Sequence, residues 1–164
     1  MEKLFNNYNK IDLSENKIYY IFDDKENEKT NFVKSNEIFD LIVDTKNNLT
    51  FIGNERYIMN NTKSGIKKCD WIIFNYNNFY FIEAKSITEK DYRKNARDDA
   101  YTKFEHTKKF YNDNFKFNYN IKKYAILNFR VNTNDISKAK LKELKLRYKD
   151  ILKLKYEETN ILNL

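Results

Sequence analysis

Apolar and polar positions along the chain fall into short runs and helical repeats that outline most of its elements. Residues 17–22, KIYYIF, read as a short strand or as the apolar side of a helix, and the polar stretch 23–31, DDKENEKTN, reads as a loop. After Ser35, a helix-capping residue type, Ile38, Leu41 and Ile42 recur at spacings of three and four. This pattern predicts a helix over 35–46 that stops at Lys46-Asn47-Asn48. Leu49 to Ile52 is a short strand candidate. Two β-prone runs follow, Cys69–Tyr76 and Phe79–Lys85, split by Asn77-Asn78, and together they predict a hairpin with a left-handed turn. Over 88–111 there is no Gly or Pro, and Tyr92, Ala96, Ala100 and Phe104 recur every four residues, with Tyr111 beyond, as on one helix face. Lys122–Phe129 reads as a buried strand. Asp135 or Ser137 can cap a last helix running to about Leu154, with Leu141, Leu144 and Ile151 on one side. The predicted order is α, β, β, β, α, β, α.

A two-residue turn at Asn77-Asn78 fixes which side chains share a face. Tyr76 then pairs with Phe79, Ile72 with Glu83, and Asp70 with Lys85. Opposed residues point to the same side, with Cβ atoms roughly 4.5–5.5 Å apart. Asp70, Glu83 and Lys85 therefore share one end of a face otherwise made of Ile72, Phe74, Tyr76, Phe79 and Phe81. The opposite face holds Cys69, Trp71, Ile73, Ile82 and Ala84. Two apolar faces imply a sheet covered on both sides.

Length and composition narrow the function classes. The 164 residues fit one domain, with an N-terminal extension (1–34), a core (35–129) and a C-terminal helical region (130–164). Single Cys and His residues exclude a disulfide scaffold, a cysteine-rich zinc site and a His-rich metal centre. Cys69 is expected to be a buried structural thiol and His106 a surface or packing residue. No apolar stretch is long enough to span a membrane, and MEKLFNNYNKIDL lacks the apolar segment of a signal peptide, so a cytoplasmic setting is expected. A net charge of +7 favours a polyanionic partner, nucleic acid first. Abundant Lys, Asn, Ile, Tyr and Phe also match AT-rich codons, so charge alone does not decide. With two Gly and no Pro, Asn must supply many turns.

Three charges at the end of an apolar face must pair, reach solvent or hold a metal. Two carboxylates on diagonal strand positions, roughly 7–8 Å apart at Cβ, can converge on one hard cation. The carbonyl of Ala84 would add a third oxygen. Magnesium, or manganese in its place, fits such a set because it retains several waters. Lys85 would orient water or stabilise charge on a phosphate undergoing attack. The competing reading is a cross-strand ion pair between Asp70 and Lys85, with Glu83 a solvated strand end.

The run Lys68-Cys69-Asp70, twelve further residues, then Glu83-Ala84-Lys85 resembles the motif of the PD-(D/E)xK nuclease superfamily, the restriction-endonuclease-like fold. Of three Glu-x-Lys triplets in the chain, only this one ends an apolar β-type run opposite an Asp-bearing strand. The resemblance implies an α/β domain with an αβββαβ core over 35–129, a mixed sheet flanked by helices, and here an extra C-terminal helix. It implies Asp70 and Glu83 as magnesium ligands and Lys85 as the catalytic lysine. It also implies an acidic ligand from the first helix, for which Glu37 is the first candidate and Asp40 the second. Cys69 stands where the motif has Pro. The Gln-x-x-x-Tyr signature of some exonuclease branches is met only as Arg97-Asp-Asp-Ala-Tyr101, without its Gln.

Basic residues flank the motif on both sides. Lys63, Lys67 and Lys68 precede Asp70, while Arg93, Lys94, Arg97 and Tyr101 extend along the next helix and could contact a nucleic-acid backbone. Their bland alternative is a solvated loop and a solvated helix face, with Asp98 and Asp99 balancing the charge. The lysines of the last helix are assigned to solvent. The leading expectation is a metal-dependent endonuclease or exonuclease acting on nucleic acid, DNA first; cutting both strands needs two sites, for which a symmetric dimer is a candidate. The alternatives are a nuclease-like binding module without chemistry and a partner-dependent subunit.

Overall fold

The computed structural model describes residues 10–24, 29–35, 37, 39–54, 65–85, 90–115, 121–129, 136–159 and 161–164. Within them the chain is mixed α/β. The strands are β1 (Lys10–Leu13), β2 (Lys17–Asp24), β3 (Lys29–Val33), β4 (Leu41–Thr45), β5 (Leu49–Gly53), β6 (Trp71–Phe74), β7 (Asn78–Lys85), β8 (Lys122–Phe129), β9 (Lys155–Thr159) and β10 (Leu162–Asn163). The helices are α1 (Lys90–Asn114) and α2 (Lys138–Arg147), the latter continued by a π-helical turn, Tyr148–Leu152.

A six-stranded sheet runs in the order β1-β5-β6-β7-β8-β9. Its β1, β5, β6 and β7 are antiparallel neighbours, while β8 lies parallel to β7 and β9 parallel to β8. A smaller sheet runs β10-β4-β2-β3. One face of the larger sheet packs Ile72, Phe74, Phe79, Phe81 and Leu127 against Ala96, Ala100 and Phe104 of α1 and Leu144 of α2. The other packs Trp71, Ile73, Tyr80, Ile82 and Ile126 against Ile21, Leu41 and Val43 of the smaller sheet. The predicted double-sided burial is thus observed, and each large side chain so buried stabilises the fold by roughly 1.5–3 kcal/mol. No helix among the described residues is long and apolar enough to cross a membrane.

The hairpin turn is wider than the sequence predicted. Phe74 pairs with Phe79 and Trp71 with Ile82, so the register is shifted by two residues and the turn takes in Asn75 to Asn78. Asn75 is the cause. Its Oδ1 accepts the backbone N–H groups of Asn77 (3.0 Å) and Asn78 (2.9 Å), and its own N–H donates to Asn78 O at 3.0 Å. A shift of two preserves the faces, because side-chain direction repeats every two residues. It does move Tyr76 off the apolar face and into the turn, where it is 80% exposed. Cys69 also departs from expectation: lying just before β6, it joins the helix-side core.

Among the described residues of 35–46 the expected helix is not formed. Leu41, Val43 and Thr45 are buried alternately on β4, and that period of two wins over the helical spacing of Ile38, Leu41 and Ile42. Ile38 itself lies outside the described residues. KIYYIF belongs to strand β2, and the supposed loop 23–31 is entered from both sides by β2 and β3. In the N-terminal extension, β1 covers the β5 edge of the larger sheet.

The C-terminal region is not purely helical. Ser137 caps α2, its Oγ accepting the N–H of Lys140 at 3.2 Å; Asp135, the other cap candidate, lies outside the described residues. The π-helical turn then brings Tyr148 and Leu152 inward and leaves Ile151 exposed. Lys153, in the left-handed region (φ 53°), ends the turn and sends the chain into β9.

Candidate active site

Asp70 sits one residue before β6, and its backbone is held from two sides. Asn54, fully buried at the end of β5, donates its N–H to Asp70 O at 2.9 Å and its Nδ2 to Cys69 O at 2.8 Å. The Tyr111 hydroxyl of α1 donates to Asn54 Oδ1 at 2.8 Å, and Cys69 N–H donates to Thr107 Oγ1 at 3.0 Å. The Asp70 side chain reaches across the hairpin, where its Oδ2 accepts the N–H of Ala84 at 2.8 Å.

The register places Asp70 across from Glu83 rather than from Lys85, so the Asp70–Lys85 ion pair of the competing reading is not formed. Glu83 is almost fully buried. Its Oε1 meets two ammonium groups, Lys103 Nζ at 2.6 Å and Lys85 Nζ at 2.8 Å. Its Oε2 is buried with no hydrogen-bond partner among the described residues. Lys103 also lies 3.7 Å from Asp70 Oδ1. Asp99 completes the group, accepting from Lys85 Nζ at 3.1 Å and from Lys67 Nζ at 2.6 Å. Carboxylates and ammonium groups thus alternate between the hairpin and α1.

Burial, and then the charge of Glu83, push the Asp70 carboxyl up to about 8, against the opposing pull of Lys103 and the Ala84 N–H. Two facing carboxylates resist joint ionisation. Burial works against the charge of Lys103, but Asp70 and Glu83 outweigh it and hold its proton far above the usual lysine range. Lys85 is likewise raised, since Glu83 overcomes its partial desolvation. Asp99 is lowered, the hydrogen bonds from Lys67 and Lys85 outweighing its partial burial. Cys69 is a buried thiol whose ionisation is strongly suppressed, first by burial and then by Glu83, which suits packing and not nucleophilic attack.

Lys103 did not emerge from the sequence, and Asp99 emerged only as a balancing charge on a solvated helix face, because neither is near the motif in the chain. A signal was present: Asp99, Lys103 and Thr107 are four apart, beside the Ala96–Ala100–Phe104 stripe, and so lie on the edge of the buried helix face. Asn54 carried no such signal.

The remaining candidates are differently placed. Ala84 faces Asn128 in the parallel ladder and serves the site through its N–H to Asp70. Glu37 is not on a helix; it is exposed in the turn between β3 and β4, its N–H donating to Lys34 O at 3.0 Å. Asp40 leads into β4, its N–H donating to Ile21 O at 2.8 Å. Among the described residues, the polar partners of Asp70 and Glu83 come from the hairpin and α1, not from this turn.

The predicted basic stripe is largely turned inward. Arg97 donates Nε to Glu158 Oε1 at 2.8 Å and Nη2 to Oε2 at 3.1 Å, and lies over the Phe129 ring. Arg93 is 6% exposed over the same ring, and Tyr101 is 7% exposed, edge-on to Tyr148. The cause is β9, which brings Glu158 and, with the π-helical turn, Tyr148 up to this helix face. Lys94 remains exposed and Lys68 partly so. Lys67 is tied to Asp99, and its N–H donates to His106 Nδ1 at 3.1 Å. Lys63 lies outside the described residues.

Among the described residues no three His, Cys, Asp or Glu side chains gather into a metal cage. Asp70 and Glu83 nevertheless fit a magnesium ion. Both supply hard oxygens, and Glu83 Oε2 is a buried acceptor without a donor. Magnesium is commonly held by one or two carboxylates, its other positions taken by water and substrate phosphate. Comparison with family models, curated proteins and solved structures finds no match to the chain.

Proposed function

We propose that the chain is a magnesium-dependent nuclease that hydrolyses phosphodiester bonds, DNA being the first substrate to test. The observation that carries this reading is the opposed pair Asp70 and Glu83, with an unpartnered buried oxygen on Glu83 and Lys85 and Lys103 beside it. A buried carboxylate oxygen without a donor costs stability unless a water or an ion meets it. The order β5-β6-β7-α1-β8, an antiparallel meander followed by a helix and a parallel strand, supports the βββαβ part of the restriction-endonuclease-like core. Among the described residues of 35–46 the leading helix of that core has no counterpart, and β4 occupies Leu41–Thr45.

Asp70 and Glu83 would hold the cation, whose chemistry when bound is to activate water and neutralise developing charge on the phosphate. The chain's own residues supply the rest. Asn54, Thr107 and the Ala84 N–H fix Asp70, so the carboxylate is positioned before substrate arrives. Lys85, anchored by Asp99 and Glu83 and strongly protonated, offers a fixed positive charge to a phosphate oxygen. Lys94 and Lys68 remain as backbone contacts that would position nucleic acid.

Nicking of supercoiled plasmid with magnesium, manganese or EDTA tests the proposal, alongside Asp70→Asn and Lys85→Met checked for folding by circular dichroism. Metal-dependent cutting abolished by both substitutions is expected. Cutting that survives in EDTA, or in folded Asp70→Asn, would contradict it. One observation favours a second reading, a nucleic-acid-binding module without chemistry: Lys103 and Lys85 already pair with Glu83, and Lys103 lies beside Asp70. Such a module binds nucleic acid equally well in EDTA and cuts under no condition.

A further inference from the structure

We propose that Lys103 is the internal counter-cation of the Asp70–Glu83 pair, and that a divalent cation binding these carboxylates displaces it. This rests on the metal site proposed above and assigns roles to its two lysines.

Lys103 Nζ lies within ion-pair distance of both carboxylates, 2.6 Å from Glu83 Oε1 and 3.7 Å from Asp70 Oδ1. Two opposed carboxyl groups, one of them almost fully buried, repel each other when both are ionised, and Lys103 is the cation placed between them to offset that repulsion without metal. A divalent ion carries out the same neutralisation with twice the charge. It cannot share the space comfortably, because an ammonium group a few ångströms from a divalent cation is repelled. The two lysines are not equivalent when this happens. Lys85 keeps an anchor outside the pair, Asp99 Oδ2 at 3.1 Å. The carboxylates that hold Lys103 are those the metal takes, Asp70 and Glu83. Lys103 is also suited to move. It stands on α1, not on the hairpin, so torsions of its own stem release it, and about a fifth of its side chain already meets solvent. Meanwhile Glu83 Oε2, buried beside the occupied Oε1, has no hydrogen-bond partner among the described residues and is the oxygen left for the ion once Lys103 withdraws.

The test measures Mn2+ binding by calorimetry at one fixed pH for the full chain, its Lys103→Met variant, and Lys109→Met as a control on an exposed surface pair. Lys103→Met is expected to bind Mn2+ about tenfold more tightly or better, the scale of ordinary coupling between two competing occupants. Lys109→Met is expected to match the parent. Lys103→Met should also melt lower than the parent in EDTA and recover with Mn2+. If it fails to fold, amine acetylation of the parent chain, read by mass spectrometry, decides instead: Lys103 should acetylate faster with Mn2+ than in EDTA, with Lys109 unchanged. Equal or weaker Mn2+ binding by a folded Lys103→Met, or Lys103 acetylation unmoved by Mn2+ that does bind, overturns the counter-cation role and leaves the metal site standing. Absence of Mn2+ binding in parent and variant alike overturns the metal site and the role of Lys103 with it.

Discussion

Lys103, on α1, places its ammonium group 2.6 Å from the buried carboxylate of Glu83, on strand β7. The contact ties the helix to the hairpin and makes the charges of the site interdependent. Removing one member of a buried pair leaves the other without compensation, at a cost of several kcal/mol. Glu83→Gln, nearly isosteric, is therefore expected to lower unfolding free energy by roughly 3 kcal/mol. Urea denaturation in EDTA measures this, and a change within about 0.5 kcal/mol, the range of ordinary surface substitutions, would show that the cluster is loosely solvated.

Asp70 predicts the pH dependence of the metal-free fold. Its carboxyl is raised from 3.8 to about 8 on folding, so between these values the native state holds a proton that the unfolded state has lost. Stability contributed by that proton is complete below the unfolded value and is lost as pH rises towards 8, with a slope of at most about 1.4 kcal/mol per pH unit. Asp70→Asn removes the slope. Urea unfolding of both proteins at pH 5, 6.5 and 8 in EDTA tests this; parallel profiles would contradict it.

The inward turn of Arg97 separates stability from nucleic-acid contact. Arg97→Gln breaks a two-point pair with Glu158 and is expected to lower the melting temperature. Lys94→Gln and Lys68→Gln are expected to leave melting unchanged, weaken DNA binding, and each reduce the slope of log affinity against log salt by about one. Fluorescence anisotropy at several salt concentrations distinguishes these outcomes. An Arg97→Gln variant of parental stability with a reduced salt slope would reverse the assignment.

Asn75 sets the hairpin register that brings Asp70 opposite Glu83. Asn75→Ala removes the acceptor of two backbone N–H groups and is expected to cost about 1–2 kcal/mol. Thermal unfolding measures it, and an unchanged melting temperature would mean that the apolar faces alone hold the register.

The hairpin, α1 and β8 were legible in the sequence because long apolar runs and a repeat of four leave little choice of element. The faces of the hairpin survived an error in turn length, since Asn75 shifts the register by two and not by one. The segment around Leu41 was misread because Ile38, Leu41 and Ile42 fit a helical spacing, while Leu41, Val43 and Thr45 fit a strand, and only packing against the larger sheet decides. The polar ends of β2 and β3 hid strands, because Asp, Lys and Asn disguise a strand whose hydrogen bonds come from its neighbour. Asp70, Glu83 and Lys85 were found at one end of one face, as expected. Their partners Lys103 and Asp99 were not, because only the crossover from β7 through α1 to β8 lays that helix beside the hairpin.

The most direct test of the site is a crystal grown with Mn2+ and measured at a wavelength where manganese scatters anomalously. An anomalous peak bounded by the carboxylates of Asp70 and Glu83, with Lys103 Nζ withdrawn from both, is the predicted result. A map with no peak there, and Lys103 still bridging the two carboxylates at saturating Mn2+, would contradict the account.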